Sequence, residues 1–176
     1  MKKIKRAGQL AALLMSALAV TSANAELPTE PKEIITTFLK CWENGDAETF
    51  EALLAPEVRF AYPGDILNKA ELMEVFRGYP KKKKDIKIYL WDVSISEGNT
   101  HVTAYEFAAT DRESGERFAV GTGVWCIIEN GKITDFREFW DSELVMRQKK
   151  GELPLDEGGQ VTPWPETVWL RHETID

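Results

Sequence analysis

A carboxyl group set among aromatic residues is the feature of this sequence with the clearest chemical potential. Between Phe136 and Trp140, Glu138 falls two positions from a ring on either side. Because alternate residues of a strand share a face, Glu138 is expected on an apolar surface with these two rings. Loss of water raises the pKa of a carboxyl toward neutrality, where it can act as a general acid or base. The alternative is a solvent-facing glutamate paired with a basic neighbour.

Other residues near the ends of predicted strands offer weaker signals. Tyr62 precedes Pro63, and its hydroxyl can bind a ligand or its ring can fill a core. Asp141 is expected to cap a helix rather than to act as a catalyst. The aromatic candidates for ligand binding, for which plain core packing is the alternative, are Phe38, Trp42, Phe60, Trp125, Phe136 and Trp140.

The two cysteines and two histidines do not have the spacing of a metal site. No CxxC motif occurs, and His101 and His172 have no ligand set nearby. We therefore expect no structural zinc and no metal or organic cofactor. If Trp125 faces the interior, Cys126 faces outward on the same strand, away from Cys41, so the thiols are predicted to be free.

Helix patterns come first in the chain. Apolar residues at helical spacing predict a helix from about Pro31, ended by Gly45, and Asp46 is suited to cap a second helix over Ala47–Leu54. A capping box predicts a third helix that ends near Phe76, before Gly78 and Pro80. The capping-box residues are Asn68 and Glu71.

Strand patterns follow, after a first short one over Val58–Tyr62. A long strand begins near Lys84, and the phase of its alternation changes after Leu90, which predicts a bulge. Later strands with short turns predict an antiparallel meander over Val102–Asp111, Arg117–Ile128 and Ile133–Trp140, with a last short helix to about Gln148. This order of elements indicates the α+β class. The small residues Ala119, Gly121 and Gly123 either leave room for a ligand or allow the sheet to bend.

Composition narrows the function. The 176 residues are 43% hydrophobic, which suffices for one main domain with a buried core. A net charge of −7 argues against a nucleic-acid binder, which needs a basic face.

The N-terminal residues have the features of a bacterial secretory signal peptide. Four cations precede an apolar run over Leu10–Val20, and Ala23-Asn24-Ala25 provides small residues at the cleavage positions. The run is shorter than the roughly 20 residues that cross a bilayer. We predict a cleaved signal over residues 1–25, a periplasmic or secreted protein and no membrane anchor. An uncleaved amphipathic core helix is the alternative.

The remaining chain is divided into a domain over 26–150 and a tail over 151–176. Proline and glycine punctuate the tail too often for a long element, yet it carries Trp164 and Trp169. Because two tryptophans are costly to leave in water, the tail is expected to pack on the domain. A lid over a pocket or an arm onto a second subunit are the alternatives.

The order of short motifs resembles the NTF2-like superfamily, which includes SnoaL-like proteins, ketosteroid isomerases and limonene epoxide hydrolases. The resemblance covers about residues 31–147. It implies an α+β cone, in which a bent antiparallel sheet wraps around N-terminal helices and encloses a mostly apolar cavity, and it implies a homodimer. The motifs that carry it are Trp42-Glu43-Asn44-Gly45-Asp46, Val58-Arg59-Phe60 with Pro63-Gly64, Asn130-Gly131-Lys132-Ile133 and Arg137-Glu138-Phe139-Trp140-Asp141.

The resemblance can be followed residue by residue for two enzymes of that superfamily, the ketosteroid isomerases and the epoxide hydrolases. The tyrosine, general-base aspartate and second aspartate of the ketosteroid isomerases fall on Phe38, Tyr62 and Gly123, which argues against steroid isomerase chemistry. The base of the epoxide hydrolases falls on Glu138 and its partner acid falls near Glu106. Their water-holding residues fall near Phe60 and Tyr62. The catalytic candidates are therefore Glu138, Tyr62 and Glu106.

The predicted function is binding of a small apolar or amphipathic molecule in an internal pocket. Glu138 is the candidate acid/base for hydrolysis, dehydration or isomerisation. The alternative is a non-catalytic module for dimerisation or partner contact. A cavity of roughly a few hundred Å³ reached by Glu138 and Tyr62 favours the first, and a cone filled by Trp42, Trp125 and Trp140 favours the second.

Overall fold

A computed structural model of the chain describes residues 27–155 and 157–158. The strands in these residues form one sheet of spatial order β2-β1-β6-β5-β4-β3, and helices precede, interrupt and follow them. The α+β class is therefore confirmed. The elements are α1 (Pro31–Asn44), α2 (Ala47–Leu53), β1 (Leu54–Tyr62), β2 (Asp65–Leu67), α3 (Lys69–Lys82), β3 (Lys83–Glu97), β4 (Thr100–Asp111), β5 (Arg117–Glu129), β6 (Lys132–Trp140) and α4 (Ser142–Lys149).

The corner between α1 and α2 forms as the sequence predicts. Gly45 has a φ of 71°, and its N–H donates to the Cys41 carbonyl. Asp46 then accepts a hydrogen bond from the Thr49 N–H at 3.0 Å and caps α2. Gly45 is favoured here because a left-handed residue reverses the chain after a helix without steric penalty.

The two helices bury their aromatic residues against one face of the sheet, which we call the inner face. Phe38 of α1 lies with its ring centroid 4.5 Å from that of Phe50 and 4.8 Å from that of Phe136. All three side chains are fully buried. This aromatic cluster forms part of the core between the helices and the sheet.

Helix α3 runs further than predicted. The capping box of Asn68 and Glu71 is present at its start, but the helix continues through Pro80 to Lys82. Proline removes one backbone hydrogen bond from the last turn. Packing overrides this local preference, because the Tyr79 ring lies against Trp42 and Phe107, with ring centroids 5.3 and 5.9 Å apart.

The sheet is mixed rather than wholly antiparallel. Strands β3 to β6 form the predicted meander, and β3 has register shifts in its pairing with β4, one of them just after Leu90. Strand β1, however, lies parallel to β6 and pairs Phe60 with Phe136. The short β2 after β1 was not predicted. The sequence of β1 predicts a strand but not its parallel partner, because that partner lies near the far end of the chain.

Helix α4 lies beside the free edge of β5. Strand β6 ends at Trp140, so the first residues of β5 have no strand neighbour on that side. The Gln148 side chain occupies part of this edge and accepts the Ala119 N–H at 3.0 Å. Asp141 caps α4 by accepting from the Glu143 and Leu144 N–H groups, which confirms its predicted role.

The opposite, outer face of the sheet is partly covered by the chain after α4. Glu157 forms an ion pair with Arg117 and accepts the Tyr89 hydroxyl at 2.9 Å. The Gly158 N–H donates to Glu106 at 2.7 Å. Trp164 and Trp169 lie outside the described residues. Among those described, no helix has the length and apolar character needed to span a membrane.

Candidate functional site

A cavity of about 330 Å³ lies between the inner face of the sheet, α3 and α4. The aromatic cluster around Phe38 packs beside the cavity, since Phe60 lines the cavity and its ring stacks on that of Phe136 at 5.4 Å. Most of its lining is apolar, as is usual for a small-molecule pocket. The residues that line it are Trp42, Phe60, Tyr62, Leu67, Val75, Tyr79, Lys83, Tyr105, Phe107, Phe118, Val120, Thr122, Glu138, Trp140, Val145 and Lys149.

Glu138 is the carboxyl group of this cavity. It points to the inner face of β6, and the Tyr105 hydroxyl of β4 donates to its Oε1 at 2.6 Å. The two residues meet across β5, because both β4 and β6 pair with that strand. Burial raises the pKa of Glu138 to about 7, although the Tyr105 hydrogen bond opposes the rise. The group therefore exists in both protonation states near neutral pH.

The second oxygen of this carboxyl is available to a ligand. Tyr105 reaches only Oε1, and no other donor among the described residues bonds to Oε2. Burial and the neighbouring Glu138 carboxylate raise the pKa of Tyr105 well above its usual value. Tyr105 thus stays protonated as a donor and fixes the orientation of Glu138.

Two more phenols reach the same space. Tyr79 of α3 and Tyr62 at the end of β1 both line the cavity. Burial, followed by the charges of Glu138 and Asp111, raises the pKa of Tyr79. Its hydroxyl therefore remains a hydrogen-bond donor at any physiological pH.

A charged cluster lies at another part of the wall. Lys83, where α3 passes into β3, pairs with Asp111, and the Lys149 Nζ lies 3.6 Å from the same carboxylate. The two ammonium groups lie 5.6 and 5.3 Å from the centroid of the Phe118 ring. The Lys83 ammonium, with two backbone N–H groups, holds the pKa of the Asp111 carboxyl well below its usual range.

The structure brings together part of the predicted site. Glu138 and Trp140 share the inner face of β6 as expected, and both line the cavity. Tyr62, Trp42 and Phe60 line it as well. The cavity that these residues surround is the feature expected of a binding pocket rather than of a filled cone.

Phe38, Phe136 and Trp125 do not reach the cavity. Phe38 and Phe136 are fully buried in the aromatic cluster and serve as core. Trp125 lies on the outer face, where the Arg137 guanidinium lies 4.6 Å from its ring centroid. The predicted direction of Trp125 is therefore reversed.

The predicted orientations of Cys126 and of the small residues of β5 are reversed as well. Cys126 faces the core and not the exterior, yet both Cys126 and Cys41 are free, buried thiols. The small residues face outward, and a Cβ at Gly121 would lie 3.2 Å from the Trp91 ring. They make room for outer-face packing rather than for a ligand in the cavity.

Glu106 is separated from the cavity by the sheet. It is next to Tyr105 in the sequence and therefore points to the opposite face of β4. Its side chain is 4% exposed and accepts the Gly158 N–H. The structure does not bring Glu106 together with Glu138, so the two-carboxylate pair implied by the epoxide hydrolase resemblance does not form in this cavity.

Sequence reasoning missed the polar groups Tyr105, Tyr79, Lys83 and Lys149. Tyr105 carries a signal in the alternation of β4, since it shares a phase with Phe107 and not with Glu106. Tyr79 and the lysines have no such local signal, because their positions depend on the extended α3 and on α4.

The described residues include no group of three or more His, Cys, Asp or Glu side chains placed to hold a metal ion. The chemistry that they offer is proton transfer by one carboxyl, hydrogen bonding by phenols and electrostatic attraction by lysines.

Comparison with protein families gives one match. The model of the SnoaL-like domain family matches residues 35–136, which is more than half of the chain. A search of curated proteins found no match.

Solved structures share the fold at low sequence identity. One is a protein with a ketosteroid isomerase-like fold from Catenulispora acidiphila, solved with trimethylamine, at 14% identity and a TM-score of 0.61, covering 69% of this chain and 94% of the other. A second is an epoxide hydrolase from M. tuberculosis resembling the limonene enzyme, at 15% identity and a TM-score of 0.60, covering 68% and 88%. A third is an NTF2-like protein from Burkholderia thailandensis, at 21% identity and a TM-score of 0.59, covering 67% and 95%. These likenesses establish the NTF2-like cone.

Proposed function

Because the chain belongs to the SnoaL-like domain family, whose fold encloses a cavity here, we propose that it binds a small, largely apolar molecule there and transfers a proton through Glu138. The observation that carries the proposal is the partly buried carboxyl, held by Tyr105 at 2.6 Å and with a pKa of about 7. A carboxyl of this kind accepts and returns a proton near neutral pH.

The reaction class follows from what accompanies Glu138. Glu138 is the only carboxyl in the cavity lining given by the described residues. Hydrolysis of an epoxide by a carboxylate pair needs a second acid, which Glu106 does not supply from the outer face. Isomerisation and dehydration can proceed with a single carboxyl as proton carrier.

In the isomerisation, Glu138 Oε2 removes a proton from a carbon next to a carbonyl group. The electrons of the C–H bond move toward the carbonyl oxygen, which a phenol such as Tyr79 stabilises by hydrogen bonding. When that carbon also adjoins a C=C bond, the enolate electrons flow back, the double bond moves into conjugation with the carbonyl, and Glu138 delivers the proton to the far carbon of the former double bond. Atoms and charge balance without a further reactant.

The test follows proton exchange directly, so that the product need not be known. Small apolar ketones are incubated with the protein in D₂O, and deuterium at the carbon next to the carbonyl is measured by NMR. Glu138→Gln should reduce the exchange rate by about 100-fold or more. Glu106→Gln is the matched control, since it alters a buried glutamate outside the cavity, and it should leave the rate unchanged.

The pH profile gives a second readout. Exchange should rise with pH through about 7, because only the ionised Glu138 removes a proton. An equal rate in Glu138→Gln and wild type would remove Glu138 from the mechanism. Absence of exchange across the ketone panel would count against catalysis, and binding alone would then be measured with the probes described below.

A homodimer is proposed on a separate feature. The outer face exposes apolar side chains, among them Ile95 at 65% and Phe139 at 61%, which a second copy could cover. Light scattering should give the mass of a dimer for the wild type and of a monomer for Phe139→Asp. This arrangement is compatible with the non-catalytic alternative, which the deuterium experiment separates from the enzyme.

Export to the periplasm or the medium is proposed from the N-terminal sequence alone. Residues 1–25 lie outside the described residues. N-terminal sequencing of the protein from a bacterial periplasmic extract should find cleavage after Ala25, and recovery of intact Met1 there would contradict the proposal.

A further inference from the structure

The lysine cluster of the cavity has more positive charge than its carboxylate neutralises. Asp111 pairs with Lys83 and lies 3.6 Å from the Lys149 Nζ through the same Oδ2 atom. Asp111 also accepts the Glu113 and Ser114 N–H groups, so it remains ionised. Two ammonium groups therefore share one carboxylate, and the cluster carries one excess positive charge.

The excess charge faces the cavity. Lys83 and Lys149 both line it, with side chains only 16% and 28% exposed. At 3.6 Å, the Lys149 Nζ is beyond the usual length of a charge-assisted hydrogen bond to Asp111. Among the described residues it has no hydrogen-bond acceptor at shorter distance. Its N–H groups are thus available to a ligand.

The lysines and Glu138 line the same cavity together with aromatic residues. Trp42, Phe60 and Phe107 give an apolar wall, and Tyr79 lies within the electrostatic influence of both Glu138 and Asp111. A ligand that meets both the lysines and Glu138 needs an anionic group for the lysines and an apolar body for the aromatic lining.

We propose that the natural ligand is an apolar molecule with a single carboxylate, which Lys149 and Lys83 hold while its body lies toward Glu138. The inference rests on the proposed function, because it assigns a ligand class to the same cavity. An ammonium group in a partly dehydrated site attracts a carboxylate more strongly than it does in water. A neutral amide of the same shape lacks this attraction.

The experiment compares 1-naphthaleneacetate with 1-naphthaleneacetamide, which share a ring system and differ in charge. Binding is measured by isothermal titration calorimetry at pH 6, where Glu138 is mainly protonated and an ordinary carboxylate is ionised. Wild-type protein should bind the acetate about tenfold more tightly than the amide. Lys149→Met should remove this preference and leave amide affinity within about twofold.

Three further variants test whether the charge of the lysines, and not a change of shape, causes the preference. Lys149→Arg retains the charge and should retain the preference for the acetate. Lys150→Met alters the exposed neighbour, which does not line the cavity, and should behave as wild type. Lys83→Met should weaken acetate binding in the same direction as Lys149→Met.

The outcomes separate this inference from the proposed function. The carboxylate inference is overturned if the wild type binds the acetate and the amide equally well. It is also overturned if the preference for the acetate persists in both Lys149→Met and Lys83→Met. Either result leaves the proposal of an apolar pocket standing. Failure of both probes to bind wild-type protein overturns ligand binding itself, and the inference falls with it.

Discussion

Two glutamates on opposite faces of the sheet, Glu106 and Glu138, have different surroundings. Glu106 on the outer face accepts a backbone N–H from Gly158, beside the Glu157–Arg117 ion pair. Glu138 on the inner face accepts one phenol and otherwise faces an apolar cavity. Glu106 thus attaches a chain segment to the sheet, whereas Glu138 retains an oxygen for a ligand.

Burial alone therefore does not identify a carboxyl group that can take part in proton transfer. What matters is whether the protein itself occupies the hydrogen-bonding positions of the carboxylate. Glu138 has a raised pKa because its burial is only partly compensated, and that imbalance is what makes proton transfer possible near pH 7.

The largest expected effect concerns stability against pH. In the folded protein Glu138 has a pKa of about 7 instead of 4.5, so it binds its proton more tightly than in the unfolded chain. The contribution of Glu138 to the free energy of unfolding is therefore fully present below about pH 4.5 and is lost as the pH rises through about 7. The loss corresponds to ~3 kcal/mol. Glu138→Gln should consequently gain about this much in unfolding free energy, relative to wild type, between pH 4.5 and pH 8.

Urea unfolding at the two pH values measures this gain. Glu106→Gln serves as the comparison, since it alters the buried glutamate of the outer face. If the unfolding free energy of Glu138→Gln relative to wild type is the same at pH 4.5 and pH 8, burial does not raise the pKa of Glu138.

A smaller effect is expected on the outer face. Glu106→Ala removes the acceptor of the Gly158 N–H and should reduce stability by about 1–3 kcal/mol, because a buried hydrogen bond is lost. Glu106→Gln keeps an acceptor and should lose less. Binding of the naphthalene probes should not change in either variant. Weaker probe binding in Glu106→Ala would contradict this prediction and show that the outer face affects ligand binding in the cavity.

The smallest effect concerns the phenol that holds Glu138. Tyr105→Phe removes the hydrogen bond that lowers the Glu138 pKa, so that pKa should move further upward. Titration of a ¹³C-labelled glutamate carboxyl by NMR measures the shift. Tyr79→Phe is the control, since Tyr79 forms no hydrogen bond with Glu138. A downward shift in Tyr105→Phe would mean that the phenol does not stabilise the carboxylate.

Local patterns were sufficient to predict some parts of the molecule. The α1–α2 corner depends on Gly45 and Asp46, and the shared face of Glu138 and Trp140 depends on strand alternation. Both are properties of a few consecutive residues. They required no knowledge of distant contacts.

Other parts depended on information that a single segment does not contain. In β5, alternation divides Trp125 from Cys126 but does not say which of them faces inward, because small residues let the outer face be covered too. The length of α3 past Pro80 depends on how Tyr79 packs. The meeting of Tyr105 with Glu138 depends on the pairing of three strands.

The bond from the Ala119 N–H to Gln148 has a consequence for ligand entry. Helix α4 carries Val145 and Lys149 into the cavity wall, and Gln148 of the same helix covers the edge of β5. Any movement of α4 that widens the cavity by lifting this turn breaks the bond and exposes an unpaired strand edge. Hydrogen–deuterium exchange at the Ala119 amide therefore measures how often the pocket opens, and a ligand held by Lys149 should slow that exchange.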